Sequence, residues 1–132
     1  MIKEIKILSQ KEAKRIVPEI ENVAVISIVD KKNKTIHWGE NVKYLFNMKF
    51  DDTDNFLNDS SATKKSFKGL KDFIDNLDVD VLVIHCYAGI SRSSAVAAAI
   101  GEYLGLKMKI WTNPKYDPNV LVYELVKKEL LN

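Results

Sequence analysis

Residues 81–93 read Val81-Leu82-Val83-Ile84-His85-Cys86-Tyr87-Ala88-Gly89-Ile90-Ser91-Arg92-Ser93. An unbroken apolar run ends at His85-Cys86, five residues separate Cys86 from Arg92, and an alanine-rich segment follows. A strand apolar on both faces belongs in the centre of a parallel sheet. The segment SSAVAAAIGEYLG, from Ser93 to Gly105, is small and apolar nearly all round, the pattern of a buried helix that approaches a sheet closely. Strand, short loop and helix start then form one object. The loop's backbone N–H groups, the helix N-terminus and a guanidinium all point at one spot. A phosphate fits there, and a thiolate at the loop base can attack it.

Each component is ordinary when taken singly. A lone cysteine is usually a small buried hydrophobe, and a lone arginine near a helix start is usually a surface residue. Chance must instead explain four features together: His85 before Cys86, Gly89 at mid-loop, Arg92 at the sixth place and a hydroxyl at Ser93. Glycine is the residue that lets a backbone fold tightly around a ligand.

Bulk properties narrow the class. A chain of 132 residues is expected to form one domain spanning 1–132, large enough to bury a core without disulfides or metals. Hydrophobic content of 46% and charged content of 29% are those of a soluble globular protein. The net charge of +2 comes with scattered lysines and no basic stripe, so no nucleic-acid partner is expected. No apolar stretch reaches membrane-spanning length. The single cysteine excludes an internal disulfide and a multi-thiolate zinc site. The opening MIKEIKILSQ carries charge too early for a signal sequence, so a reducing, cytoplasmic setting is expected.

Outward from the quoted stretch, strands and helices alternate. Residues 2–8 read as a short strand. Ser9-Gln10-Lys11-Glu12 is a capping box that opens a helix to about Val17, where Pro18 stops it. Residues 23–29 are a second apolar strand, and 30–41 a polar connection. Val42, Tyr44, Phe46, Met48 and Phe50 alternate with other residues, which predicts a strand with one strongly buried face. Phe67, Leu70, Ile74 and Leu77 recur at helical spacing and predict an amphipathic helix over 61–77. Residues 79–85 are the central strand, and Gly105 is the natural stop of the helix that follows the loop. Asp117 as N-cap and Pro118 at the first helical position open a last helix. The expected fold class is α/β: a central, mainly parallel sheet of four to five strands flanked by helices.

The segment from His85 to Ser93 resembles the signature loop of the cysteine-based protein tyrosine phosphatases. Its Ala-Gly-x-Ser-Arg-Ser ending is most similar to the dual-specificity branch, and the order of elements from Val23 to Gly105 resembles that branch too. The resemblance implies a dual-specificity-phosphatase-like fold and metal-independent hydrolysis of phosphate monoesters through a phosphocysteine, with no cofactor. Cys86 would be the nucleophile, since a helix N-terminus and inward N–H groups favour the thiolate. The backbone of Tyr87, Ala88, Gly89, Ile90, Ser91 and Arg92 would cradle the phosphate. Arg92 would grip two oxygens through its planar fork, which lysine does not offer. His85 would bond backbone near Cys86, and Ser93 would donate to the sulfur and help the thiolate leave.

A general acid is also required, because an alkoxide or phenoxide leaves poorly. Phe50-Asp51-Asp52-Thr53-Asp54 offers three carboxylates at a separation from Cys86 similar to the family's. An apolar strand end, one spacer and the acid is the family's pattern, and it selects Asp52 ahead of Asp54 and Asp51. The competing interpretation is a solvated acidic loop, which must hold for two of the three; a calcium loop is a further one, but the glycine and distal glutamate of an EF-hand are missing.

The variable loop positions Tyr87, Ala88, Ile90 and Ser91 carry no basic residue, which by the resemblance argues against lipid headgroups. The expected partners are a phosphorylated protein or small phosphoester, with phosphate, sulfate or vanadate in the loop. Alternatives are a phosphatase of nucleotide or RNA 5′-phosphates and a phosphate-binding module with little turnover. Trp38 is either a pocket wall or a packing residue, with packing favoured. Trp111, Asn113, Pro114 and Tyr116 either line the cleft or pack the last helix.

Overall fold

The computed structural model describes residues 1–131. Strands β1 (Glu4–Ser9), β2 (Val23–Val29), β3 (Val42–Lys49) and β4 (Val81–Cys86) form one sheet in the order β1-β4-β2-β3. Every pairing is parallel. The expected four to five mainly parallel strands are thus four, all parallel. β4 lies between β1 and β2, and Leu82 to Cys86 are buried along its length. A strand with no polar face has to be covered on both sides, and this one is.

Helices α1 (Gln10–Ile16), α2 (Leu70–Asp75), α3 (Arg92–Leu104) and α4 (Val120–Leu131) flank the sheet. One face packs Val23, Val25 and Val83 against Ala13 and Val17 of the α1 region. The other packs Ala24, Ile26, Leu82 and Ile84 in one cluster with Leu70, Ala95, Ile100, Val122 and Val126. Leu82 is completely enclosed, so its truncation to alanine should cost about 2–5 kcal/mol.

The predicted capping box is present. Glu12 N–H donates to Ser9 Oγ at 3.1 Å, and Ser9 N–H donates to Glu12 Oε1 at 2.9 Å. Both bonds satisfy donors that a helix start leaves free, and the backbone bond from Ser9 is the main reason the Glu12 carboxyl sits below its ordinary range.

Three expectations are corrected. The helix predicted over 61–77 is instead a 3₁₀ turn (Lys64–Phe67) followed by α2. Gly69, at φ +88°, adopts a left-handed conformation between them, which a continuous helix cannot contain. The face was nevertheless read correctly, since Phe67, Leu70 and Ile74 are buried. The strongly buried face predicted for 42–50 is buried only at Met48 and Phe50, while Val42, Tyr44 and Phe46 are half-buried. The cause is position: β3 is an edge strand with one neighbour. Finally, α4 is capped by Asn119, whose Oδ1 accepts from Val122 N–H at 3.1 Å, and not by Asp117. Trp111 packs edge-on against Tyr123 of α4, with ring centroids 4.9 Å apart, so this aromatic belongs to the helix packing.

Candidate active site

The carboxyl ends of β4, β2 and β3 deliver Cys86, Asp30 and Phe50 to one edge of the sheet. Ligands of open α/β sheets bind at that edge. Cys86 ends β4, residues 87–91 loop around, and α3 begins at Arg92. The sulfur is almost completely enclosed. Gly89 N–H donates to it at 3.3 Å, and Ser93 Oγ lies 3.2 Å from it.

Gly89 is at φ +72°. A Cβ there would lie 2.5 Å from Ser9 N and 2.7 Å from the Leu8 carbonyl carbon. Only glycine allows the loop to rest on the end of β1 in this way. Gln10 N–H, donating to the Tyr87 carbonyl at 3.0 Å, ties the same two segments.

Arg92 is buried. Its Nη1 donates to Asp30 Oδ1 at 2.7 Å and to the Phe50 carbonyl at 2.9 Å. Nε is buried and, among the described residues, has no hydrogen-bond partner. Buried donors are nearly always satisfied, so a guanidinium anchored through one nitrogen with another donor unspent suits an anion's oxygens.

His85 lies beneath the loop. Its Nδ1 is 3.2 Å from the Cys86 carbonyl and its Nε2 is 2.7 Å from Ser27 Oγ. A carbonyl only accepts, so Nδ1 carries the proton, and Nε2 of the neutral ring accepts from the Ser27 hydroxyl. Burial pushes the imidazole below its ordinary range, against the opposing effect of the bond to Cys86. Trp38 packs edge-on against His85 at 5.5 Å between centroids. It is a packing residue and does not line the cleft above.

That cleft encloses ≈ 360 Å³ between Asp52 and Asp117 on one side and Cys86, Tyr87, Ala88, Ile90, Ser91 and Arg92 on the other. The three candidate carboxylates separate. Asp52 Oδ1 accepts from the Ser91 hydroxyl at 2.9 Å and from Asn119 Nδ2 at 3.0 Å. Asp51 Oδ1 instead accepts from Lys31 N–H at 3.0 Å, and that bond holds its carboxyl below the usual range. Asp54 lines an adjoining pocket with Asp52, Asp117 and Asn119. Among the described residues no cluster of three or more His, Cys, Asp or Glu side chains could hold a metal ion.

Asp30, Asp117, Asn119 and Ser27 join the site without having been read as site residues in the sequence, where Asp117 stood only as a helix cap. Asp30 had a signal: it is the first polar residue after a buried parallel strand, which places it at the ligand-binding edge. Asn119 was hidden because it had been read as part of the helix start.

No family model matches the chain, and no curated protein matches it. Among solved structures, the human tyrosine phosphatase-like serine/threonine/tyrosine-interacting protein is similar over 91% of this chain and 83% of its own. The TM-score is 0.57 and the sequence identity 20%. The four-stranded parallel sheet with flanking helices is therefore a dual-specificity-phosphatase-like α/β fold. At that identity the likeness is one of fold, and it supports the resemblance first carried by His85 to Ser93.

Proposed function

We propose that this protein hydrolyses phosphate monoesters without a metal, through a phosphocysteine, as a protein tyrosine or dual-specificity phosphatase. One observation carries this reading. A buried thiol accepts a backbone N–H within a loop whose arginine keeps an unspent buried donor.

In the first step the Cys86 thiolate attacks phosphorus. The S–P bond forms as the P–O bond to the leaving group breaks, and Asp52 gives its proton to the departing oxygen. Arg92 and the loop N–H groups hold the charge on the equatorial oxygens. Water then attacks the phosphocysteine, its proton passes to the Asp52 carboxylate, and the S–P bond breaks to return the thiolate, which Ser93 receives with a hydrogen bond. Asp52 is favoured over Asp51 because Asp52 lines the cleft with Cys86 and Arg92, while the Asp51 carboxylate accepts from Lys31 N–H.

An open cleft rimmed by the exposed Tyr87 and Ile90, with no tryptophan wall from Trp38, favours a dual-specificity substrate range. Inorganic phosphate, sulfate and vanadate would occupy the same cradle. A reduced Cys86 suits a cytoplasmic setting. Among the described residues no helix is long and apolar enough to cross a membrane.

The test is hydrolysis of p-nitrophenyl phosphate in EDTA by the wild type, Cys86→Ser, and Asn variants of Asp51, Asp52 and Asp54. Turnover in EDTA that Cys86→Ser abolishes and Asp52→Asn reduces most is the expected result. Vanadate binding without turnover would overturn it and leave a phosphate-binding module.

A further inference from the structure

Asn119 is buried at the start of α4, and its polar groups bond to three separate segments. Nδ2 donates to Asp52 Oδ1 at 3.0 Å and to the Thr53 carbonyl at 3.1 Å. Oδ1 accepts from Val122 N–H at 3.1 Å. The backbone N–H donates to the Ser91 carbonyl at 3.1 Å, and the backbone carbonyl accepts from Tyr123 at 3.0 Å. One residue thus joins the Asp52 loop, the phosphate loop and a helix.

Capping alone does not call for an amide. An N-cap has only to accept, so Asp or Ser would serve α4 as well. What distinguishes Asn is the donor half of its side chain, and here that half is spent on the Asp52 loop. The Ser91 hydroxyl, from the opposite side of the cleft, donates to the same Asp52 oxygen at 2.9 Å. Both bonds fall on Oδ1. A carboxyl group whose Oδ1 has two donors keeps Oδ2 for the mobile proton.

We infer that Asn119 and Ser91 are positioning residues that clamp Asp52 Oδ1 over the phosphate loop and leave Oδ2 to exchange the proton with the leaving group. The inference rests on Asp52 being the general acid. It adds that the acid's orientation is set by the α4 start and the phosphate loop together.

The test compares p-nitrophenyl phosphate, whose better leaving group needs less help from an acid, with phenyl phosphate, whose poorer leaving group needs more. Asn119→Asp retains the cap, removes the donor and sets a second carboxylate against Asp52. Ser91→Ala removes the other donor and serves if the first variant does not fold. General acids contribute about 10²–10⁴-fold, so each variant should lose about tenfold more kcat/KM on phenyl phosphate than on p-nitrophenyl phosphate. In an Asp52→Asn background the same substitutions should cost nothing further, because a positioning residue has nothing left to position. Equal losses on both substrates, or undiminished losses in the Asp52→Asn background, would overturn the clamp alone. If Asp52→Asn itself shows no leaving-group dependence, the assignment of the acid falls and the clamp falls with it.

Discussion

Asp30 Oδ1 lies 2.7 Å from Arg92 Nη1, closing an ion pair between the carboxyl end of β2 and the first residue of α3. The arginine is enclosed while the carboxylate is half-exposed. The Phe50 carbonyl holds the same nitrogen. The pair therefore fixes the rotation of the guanidinium plane, and with it the direction of the remaining N–H groups.

Neutralising Asp30 should disorient that plane. Asp30→Asn is expected to lower kcat/KM about tenfold on every substrate, short of the 10²–10³ lost when a transition-state donor is removed. Vanadate affinity should fall in step. Because Asp30 is half-exposed, stability should change by about 1 kcal/mol or less. Arg92→Lys loses the fork itself, and its loss should reach about 10²-fold or more. Unchanged vanadate binding in Asp30→Asn would show that the pair does not orient the arginine.

Gly89→Ala should destroy the cradle. The new methyl meets the backbone of Leu8 and Ser9, which cannot rotate away as a side chain can, and the positive φ adds strain of about 1–3 kcal/mol. A lower thermal midpoint together with lost phosphate binding is expected. A folded variant with wild-type kcat/KM would contradict the loop geometry.

Ser93→Ala removes the hydroxyl 3.2 Å from the sulfur. It should act on thiolate departure and leave thiolate attack largely intact. We expect kcat to fall roughly ten- to a hundredfold with kcat/KM nearly unchanged, since kcat/KM reports steps up to phosphocysteine formation. Rapid mixing should then show a burst of released phenol. Parallel losses in both constants, with no burst, would place the hydroxyl's effect in the first step.

His85 makes stability depend on pH. Burial lowers its pKa from the ordinary 6.5, so the unfolded chain takes up the proton more readily than the folded one. Stability then rises with pH across the window between the two values. The contribution is complete above about pH 6.5 and is lost as pH falls towards the folded-state value. Urea midpoints measured from about pH 7.5 down to 5.5 should fall for the wild type and fall less steeply for His85→Gln. Parallel slopes would assign the acid sensitivity to other groups.

The architecture was legible because its signals are local and periodic. Val81 to Ile84 could only be a covered strand, and Ala95 to Ile100 only a helix pressed on a sheet. The cradle was legible for a similar reason, since Cys86, Gly89 and Arg92 stand within one short segment. What stayed hidden depends on contacts distant in sequence. Nothing near Asp30 announces Arg92, and Asn119 looks like any residue before a helix until the fold sets Asp52 beside it. The half-exposure of Tyr44 and Phe46 has the same origin, because alternation cannot tell an edge strand from an inner one. Gly69 was the exception: its signal was local, and the helical spacing around it outweighed it.

The underside of the loop between Cys86 and Arg92 is built from residues distant in the chain. Glu4 pairs with Val81 and Ser9 with Cys86, and Leu8 and Ser9 fill the space that Gly89 leaves. Among the described residues, β1 has no other neighbour in the sheet. Contacts of such long range form slowly, because the loop between them must be closed first. During synthesis, residues 4–9 must wait for β4 to emerge before they have a partner. The seat of the loop should therefore form late in folding, once β4 has docked beside β1 and Gly89 has come to rest on Leu8 and Ser9.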